Sequence, residues 1–173
     1  VLENLVLTAR AARGRDEAMA HVLLSGPAGL GKTTLARLLA REYGVGLKAV
    51  MATSVRDPHQ LVSILARLSK GEFLFLDEIH SLEGVCEECL YSPLESGFVD
   101  AVVRERGRTR SLRVILEPFT LVGATTRLGA LSEPLRSRFG IREKLEPYGE
   151  EELAELVVKA SVRLGMPASE DAA

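Results

Sequence analysis

Gly26-Pro27-Ala28-Gly29-Leu30-Gly31-Lys32-Thr33 decides how this chain is read. Glycine, four residues, then Gly-Lys-Thr is the spacing of a phosphate-binding loop, and here it follows directly on the apolar run His21-Val22-Leu23-Leu24-Ser25. A strand therefore leads into the loop, and a helical run, Thr34 to Tyr43, leads out of it. Glycines let the backbone turn tightly, so that successive N–H groups point inward around phosphate oxygens. The helix behind the loop adds its positive N-terminal end. Lys32 has the reach to meet the β- and γ-phosphates, and the Thr33 hydroxyl suits a place on magnesium. Gly26 through Thr33, together with Thr34 at the head of the helix, are the candidate nucleotide-binding residues.

The remaining sequence alternates strands and helices. A helix is predicted over 2–13 and a polar connection over 14–20. The helix after the loop stops at Gly44, and Leu47–Met51 forms a second strand. Asp57-Pro58 opens another helix, whose Leu61, Ile64, Leu65 and Leu68 face the core before Gly71 ends it. Phe73-Leu74-Phe75-Leu76-Asp77 is continuously apolar until its last residue, the pattern of a central parallel strand covered on both sides. A helix is predicted over about 83–95. Phe98–Val103 and Ser111–Leu116 flank a polar tip and read as an inserted β-hairpin, about 98–117. Thr120–Thr126 is a further core strand, followed by a short helix near 131–136 and a strand near 141–145. The last helix starts near Gly149, with Leu153, Leu156, Val157 and Ala160 on one face. This order predicts an α/β fold, a P-loop NTPase domain with a parallel sheet, helices on both faces and a hairpin insertion. Ligands in such sheets bind at the carboxyl ends of the strands.

Several further residues fall at those ends. Asp77 closes its strand where a carboxylate can hold Mg²⁺ directly or through water, and Glu78 beside it can activate a water as general base. The pair favours hydrolysis over phosphoryl transfer to a small molecule, although Asp and Glu would also suit a helix cap there. Thr126, at the end of another strand, offers a hydroxyl to orient water or sense a γ-phosphate. Arg136 and Arg138 follow a short helix, where one could serve a neighbouring subunit's nucleotide or both could be a solvated pair. Arg104, Arg106, Arg108, Arg110 and Arg113 gather around the hairpin tip, suited to phosphates or an acidic protein surface, or simply to water. Aromatic residues are not interleaved among them, which counts against stacking of bases.

Composition limits the rest. The 173 residues suit one well-buried domain, and 22 basic against 24 acidic groups give a net charge of −2, so any nucleic-acid contact must be local. No stretch approaches ~20 consecutive apolar residues, and the first residues lack the pattern of a secretion signal, so a cytoplasmic protein with no membrane span is expected. The two cysteines, Cys86 and Cys89, cannot complete a four-ligand zinc site and read as reduced, half-buried thiols without function.

Taken together, His21–Ala36, Phe75–His80, Phe119–Arg127 and Pro134–Ile141 resemble the RuvB family of AAA+ motors, and the resemblance extends over about residues 1–170. It implies a ring-shaped ATPase, expected to be a hexamer, that uses ATP and Mg²⁺ to drive duplex DNA through a four-way junction in partnership with RuvA. By motif it assigns Lys32 and Thr33 to Walker A, Asp77 and Glu78 to Walker B, Thr126 to sensor 1, and Arg138 to the trans-acting arginine finger. Lys32, Glu78, Thr126 and Arg138 are then the catalytic set, and Thr33 and Asp77 the metal set. The hairpin 98–117 corresponds to the element that docks RuvA. Residues 1–148 would be the ATPase core and 149–173 the start of a helical lid. The sequence departs from the family pattern at Ala28, where a second proline is usual, and at Ser81, where arginine usually follows the histidine. The Arg-rich tip Arg104–Arg110 departs as well. The family's adenine-framing N-terminal segment, the rest of the lid and the winged-helix domain are not in this sequence, which is therefore expected to be an ATPase core. Two other readings are another AAA+ machine, clamp-loader-like or a protein remodeller, and a non-hydrolysing nucleotide-binding scaffold.

Overall fold

The structure, a computed structural model, describes residues 2–15, 18–105 and 108–165. Helix α1 (Leu2–Gly14) precedes strand β1 (Val22–Ser25), whose four residues are all buried. The loop leads into α2 (Lys32–Tyr43), then β2 (Leu47–Met51), α3 (Pro58–Leu65) and β3 (Phe73–Asp77). Next come α4 (Gly84–Glu88), α5 (Tyr91–Ser96) and a hairpin of β4 (Phe98–Glu105) and β5 (Arg108–Ile115). The chain returns to the sheet as β6 (Thr120–Thr125), turns through α6 (Glu133–Ser137) into β7 (Ile141–Lys144), and ends in α7 (Glu150–Leu164).

The five core strands pair in parallel in the order β2-β3-β6-β1-β7. Alternation along each strand sends its side chains to two separate cores. Val22, Leu24, Phe73, Phe75, Val122 and Ala124 pack with Leu5 and Ala9 of α1 and Ala36 and Leu39 of α2. Leu23, Leu74, Leu76 and Leu121 face the other way, onto Leu61 and Leu65 of α3, Leu90, Leu135 and Phe139. The α/β sandwich expected from the strand–helix alternation is thus present. Parallel register places Ser25, Asp77 and Thr125 at one end of the sheet, where the strands stop and the loops begin.

Local chemistry accounts for most element ends. Asp57 caps α3 by accepting the Gln60 N–H at 3.0 Å, and Pro58 occupies the first turn, where its missing N–H is harmless. Helix α3 is shorter than the predicted run: it ends at Leu65, yet Leu68 in the following turns still reaches the core. The single helix expected over 83–95 is two, α4 and α5. Pro93 has no N–H to offer the carbonyl of Cys89, so a continuous helix would lose that bond and meet the proline ring. The hairpin is longer than predicted, with Phe98 opposite Ile115 and Glu105 opposite Arg108. Its base is seated by Val99 and Leu116, both buried, and by a Leu116 N–H to Gly97 carbonyl bond of 2.8 Å. Leu153, Leu156 and Val157 on α7 are 43–47% exposed, so the apolar face read from sequence is present but lies open among the described residues.

Candidate functional site

The phosphate loop is held open between two strands. The Gly26 N–H donates to the Thr125 carbonyl of β6 at 3.1 Å, and Leu145, just past β7, donates to the Ser25 carbonyl at 2.7 Å. Gly26 takes φ +145°, and a Cβ there would stand 2.4 Å from the Leu145 carbonyl oxygen, so no larger residue fits. Gly31 caps α2 in the left-handed conformation, φ +79°, and its carbonyl accepts the first intrahelical bond, from the Leu35 N–H at 2.8 Å. The N–H groups of Lys32, Thr33 and Thr34 therefore open the helix with no carbonyl behind them in the helical pattern. This is the end of a helix that suits phosphate oxygens. Lys32 is 7% exposed, and its ammonium donates to the Gly26 and Pro27 carbonyls at 2.9 and 2.7 Å. Those bonds draw the charge into the hollow of the loop rather than out to solvent.

Across the sheet end, Asp77 Oδ1 accepts the Glu78 N–H at 3.0 Å. Glu78 is the one described non-glycine residue with positive φ, +48°. An L-residue held there costs roughly 1–2 kcal/mol, and such outliers gather at functional sites. The twist aims its carboxylate at the end of β6, where Oε2 accepts from the Thr126 N–H at 3.2 Å and from the Thr126 hydroxyl at 3.0 Å. Glu78 and Thr126, 48 residues apart in sequence, are thus in direct contact. His80 closes the group: its Nδ1 lies 3.1 Å from Glu78 Oε2 and 2.9 Å from Thr125 Oγ1, and its Nε2 accepts from Arg127 Nε at 3.0 Å.

Arg138 stands at the C-terminal end of α6, fixed by the turn around it. Ser132 caps α6 by accepting the Leu135 N–H, and Phe139 is buried beneath β6. There Gly123 leaves room: a Cβ on it would come within 3.1 Å of both Phe139 and Ile79. The Arg138 guanidinium lies over the Tyr91 ring at 4.2 Å and pairs with Glu95 at 2.9 Å. Arg136, the other arginine of the sequence reading, has its Nε buried without a hydrogen-bond partner.

Residues 1–145 match the family described as the Holliday junction DNA helicase RuvB P-loop domain. The chain belongs to the RuvB family. It is 44% identical over 173 residues to the Holliday junction branch migration complex subunit RuvB of Staphylococcus aureus strains JH9 and Newman, covering 100% of this chain and 52% of each relative. Among solved structures, the Thermotoga maritima RuvB Holliday junction branch migration motor is 40% identical with a TM-score of 0.81, over 94% of this chain and 50% of that one. A point variant of the same T. maritima protein is 41% identical with a TM-score of 0.84, over 95% of this chain and 52% of that one. The chain thus spans about half the length of the curated relatives it matches. The family so matched is a P-loop domain family, the class of fold that the spacing of Gly26 to Thr33 predicts.

Beside this RuvB-type loop a cleft runs on from the phosphate hollow, lined by Leu30, Gly31, Thr34, Leu35, Leu38, Leu145 and Tyr148. Its walls are mostly apolar and one is aromatic, chemistry that suits a flat base. Sequence reasoning missed Leu145 and Tyr148, although an aromatic just beyond the last strand was the available signal. It also quoted His80 and Arg127 within motifs without giving either a task. The opposite error concerns Arg113. It does not belong to a free cluster at the hairpin tip, because it sits opposite Asp100 near the hairpin base, bonded to both carboxylate oxygens at 2.9 and 3.0 Å and stacked 3.9 Å over Phe98. That guanidinium holds the Asp100 carboxyl below the usual carboxylate range. Arg110 is exposed, whereas Arg106 and the side chains of Arg104 and Arg108 lie outside those described. Cys86 is buried and Cys89 half-buried; burial pushes both thiols up, away from the reactive thiolate.

Proposed function

We propose that this chain is the ATP-hydrolysing core of a RuvB-type motor that drives branch migration at four-way DNA junctions, in recombination and repair. The contact between Glu78 and Thr126 at the mouth of a P-loop carries the reading, because it joins a water-activating carboxylate to the phosphate site in a RuvB-family domain. Gly26 to Thr34 hold the triphosphate of ATP through backbone N–H groups and the Lys32 ammonium, which exchanges its two carbonyl partners for phosphate oxygens. Tyr148 and the apolar cleft take the base. Glu78 removes the proton from the attacking water, and Thr126 orients that carboxylate and the γ-phosphate.

Asp77 and the Thr33 hydroxyl are the residues to hold Mg²⁺, which when bound neutralises charge building on the phosphates. One carboxylate and one hydroxyl fit that ion, since Mg²⁺ keeps several waters and takes its remaining oxygens from substrate phosphates. Asp77 is oriented for the task by the Glu78 N–H. Arg138 completes the site of a neighbouring subunit in a ring, expected to be a hexamer, and to do so it must leave Tyr91 and Glu95. The hairpin 98–117 docks a RuvA-type protein; Leu112 and Ile115 are 55% and 84% exposed on it, apolar surface suited to a protein partner. Residues 149–173 begin a helical lid, for which the open apolar face of α7 supplies a packing surface. None of the described helices is long and apolar enough to cross a membrane, and the site of action proposed here is the cytoplasm.

The test is steady-state ATP hydrolysis by the full-length protein alone, with linear duplex, and with a four-way junction plus a RuvA-type partner, using Lys32→Ala as the blank. Junction-dependent stimulation that vanishes in Arg138→Ala is the expected result. Turnover indifferent to DNA would leave an AAA+ ATPase of another kind, and no turnover would leave a nucleotide-binding scaffold.

A further inference from the structure

His80 reaches from the end of β3 to the end of β6 with both ring nitrogens engaged. Its side chain is 5% exposed, so neither nitrogen has ready access to water. Arg127 decides the tautomer. A guanidinium has donors only, and the Arg127 Nε–H is aimed at His80 Nε2 from 3.0 Å, which leaves that nitrogen as acceptor and puts the ring proton on Nδ1. Nδ1 faces Glu78 Oε2 at 3.1 Å and Thr125 Oγ1 at 2.9 Å. Thr125 Oγ1 in turn accepts the Arg127 N–H at 3.0 Å, so the arginine's backbone and side chain frame the same imidazole.

The bonds to Glu78 have a one-sided pattern. The Thr126 N–H and the Thr126 hydroxyl both donate to Oε2, His80 Nδ1 stands 3.1 Å from the same oxygen while its own proton goes to Thr125 Oγ1, and no described residue donates to Oε1. One oxygen is held and the other is left for water.

We infer that His80 is a positioning residue for the hydrolytic carboxylate: Arg127 on Nε2 and Thr125 on Nδ1 fix the ring, whose Nδ1 edge stands 3.1 Å from Glu78 Oε2 and holds that oxygen in place, so that Oε1 is the atom that accepts the proton of the attacking water. The inference rests on the assignment of Glu78 as the water-activating residue. Interposing an imidazole between Arg127 and Glu78 has a physical rationale. A guanidinium bonded directly to the carboxylate would add a full opposite charge and often a bidentate grip on both oxygens. The ring edge sets the position of Oε2 without that grip, so the carboxylate can still exchange partners during a catalytic cycle.

Two measurements on the full-length protein test this. In the first, His80→Ala, His80→Asn and His80→Gln are compared for nucleotide Kd, with a fluorescent ADP analogue, and for kcat at saturating ATP. An asparagine amide places its N–H near the position of Nδ1, whereas a glutamine amide places it near Nε2. His80→Ala is expected to lower kcat about 10- to 100-fold, the range for outer-shell orienting partners, with Kd changed less than about twofold. His80→Asn is expected to recover most of the loss and His80→Gln little of it. Unchanged kcat in His80→Ala, or equal recovery by both amides, overturns the inference. The second measurement reads the tautomer directly from ¹⁵N-labelled histidine by NMR. An Nδ1–H ring in the wild type that becomes a mixture in Arg127→Ala supports the pair, and an Nε2–H ring in the wild type overturns it. A wild type without turnover would sink the hydrolase reading instead, and the tautomer would then decide the His80–Arg127 pairing by itself.

Discussion

Arg138 lies flat against Tyr91, its guanidinium carbon 4.2 Å from the ring centre, while Glu95 on the same helix holds its Nη2 at 2.9 Å. The arginine proposed to serve a neighbouring subunit is therefore held against its own. Glu95 is 57% exposed, so its ion pair contributes on the order of 0.5–1 kcal/mol. Releasing it is expected to raise turnover about 2- to 5-fold at protein concentrations where subunits are only partly assembled, and to change little once assembly is complete. Glu95→Ala, assayed across a concentration series, checks this. Arg138→Ala is expected to lose about 10³-fold or more at every concentration, the scale on which arginine fingers act. A Glu95→Ala curve that overlays the wild type would mean the pair does not restrain Arg138.

Gly26 and Gly29 both have positive φ, yet they should respond differently to alanine. A Cβ on Gly26 would stand 2.4 Å from the Leu145 carbonyl oxygen, whereas one on Gly29 meets nothing within 4 Å. Gly29→Ala is expected to cost about 1 kcal/mol, from backbone conformation alone. Gly26→Ala must also move β7 away from the loop and is expected to cost about 2–4 kcal/mol. Thermal unfolding of the two variants measures the contrast; equal losses would show that the Leu145 contact yields freely.

Tyr148 is 45% exposed at the rim of the apolar cleft. If that cleft takes the base, Tyr148→Ala should weaken ATP and ADP binding about 5- to 20-fold, in line with ~1–2 kcal/mol for a stacked ring, and leave tripolyphosphate binding unchanged. Equal weakening for tripolyphosphate would place Tyr148 on the phosphates instead. Calorimetric titration of both ligands separates the cases.

His21 links three elements. The Leu121 N–H of β6 donates to its Nδ1 at 3.0 Å, and its Nε2 lies 3.2 Å from the Leu94 carbonyl, so the ring proton sits on Nε2. Burial holds its pKa below the ordinary value of 6.5, with the Leu94 bond opposing that shift. The unfolded chain then takes up this proton before the folded one does. The stability tied to neutral His21 is complete above about pH 6.5 and is lost as pH falls below it, until the folded ring also protonates. Urea unfolding at pH 7.5 and 5.5 is expected to show a smaller pH effect in His21→Gln than in the wild type. Identical pH effects would show that His21 titrates alike in both states.

The α/β fold and the loop were legible because their signals are local. A strand buried on both faces must be apolar throughout, as Phe73–Leu76 is, and a phosphate loop needs its glycines and Lys32 at fixed spacing whatever surrounds them. The resemblance to RuvB rested on the same contiguous segments. Short-range rules erred where one residue outweighed a periodic pattern, as Pro93 does in dividing the helix expected over 83–95, and at element ends, as in the shorter α3 and the longer hairpin. What the sequence could not supply was any relation between residues distant along the chain. Glu78 meets Thr126, Arg127 fixes His80, Tyr91 and Glu95 store Arg138, and Leu145 with Tyr148 walls the cleft beside Gly31. Each of these depends on parallel register, which lines up the ends of β1, β3 and β6, and on the packing of Phe139 against the gap at Gly123. The chain alone determined which chemical groups are present. The tertiary structure decided which of them touch, because hydrogen bonds act over about 3 Å while the residues they join stand tens of positions apart.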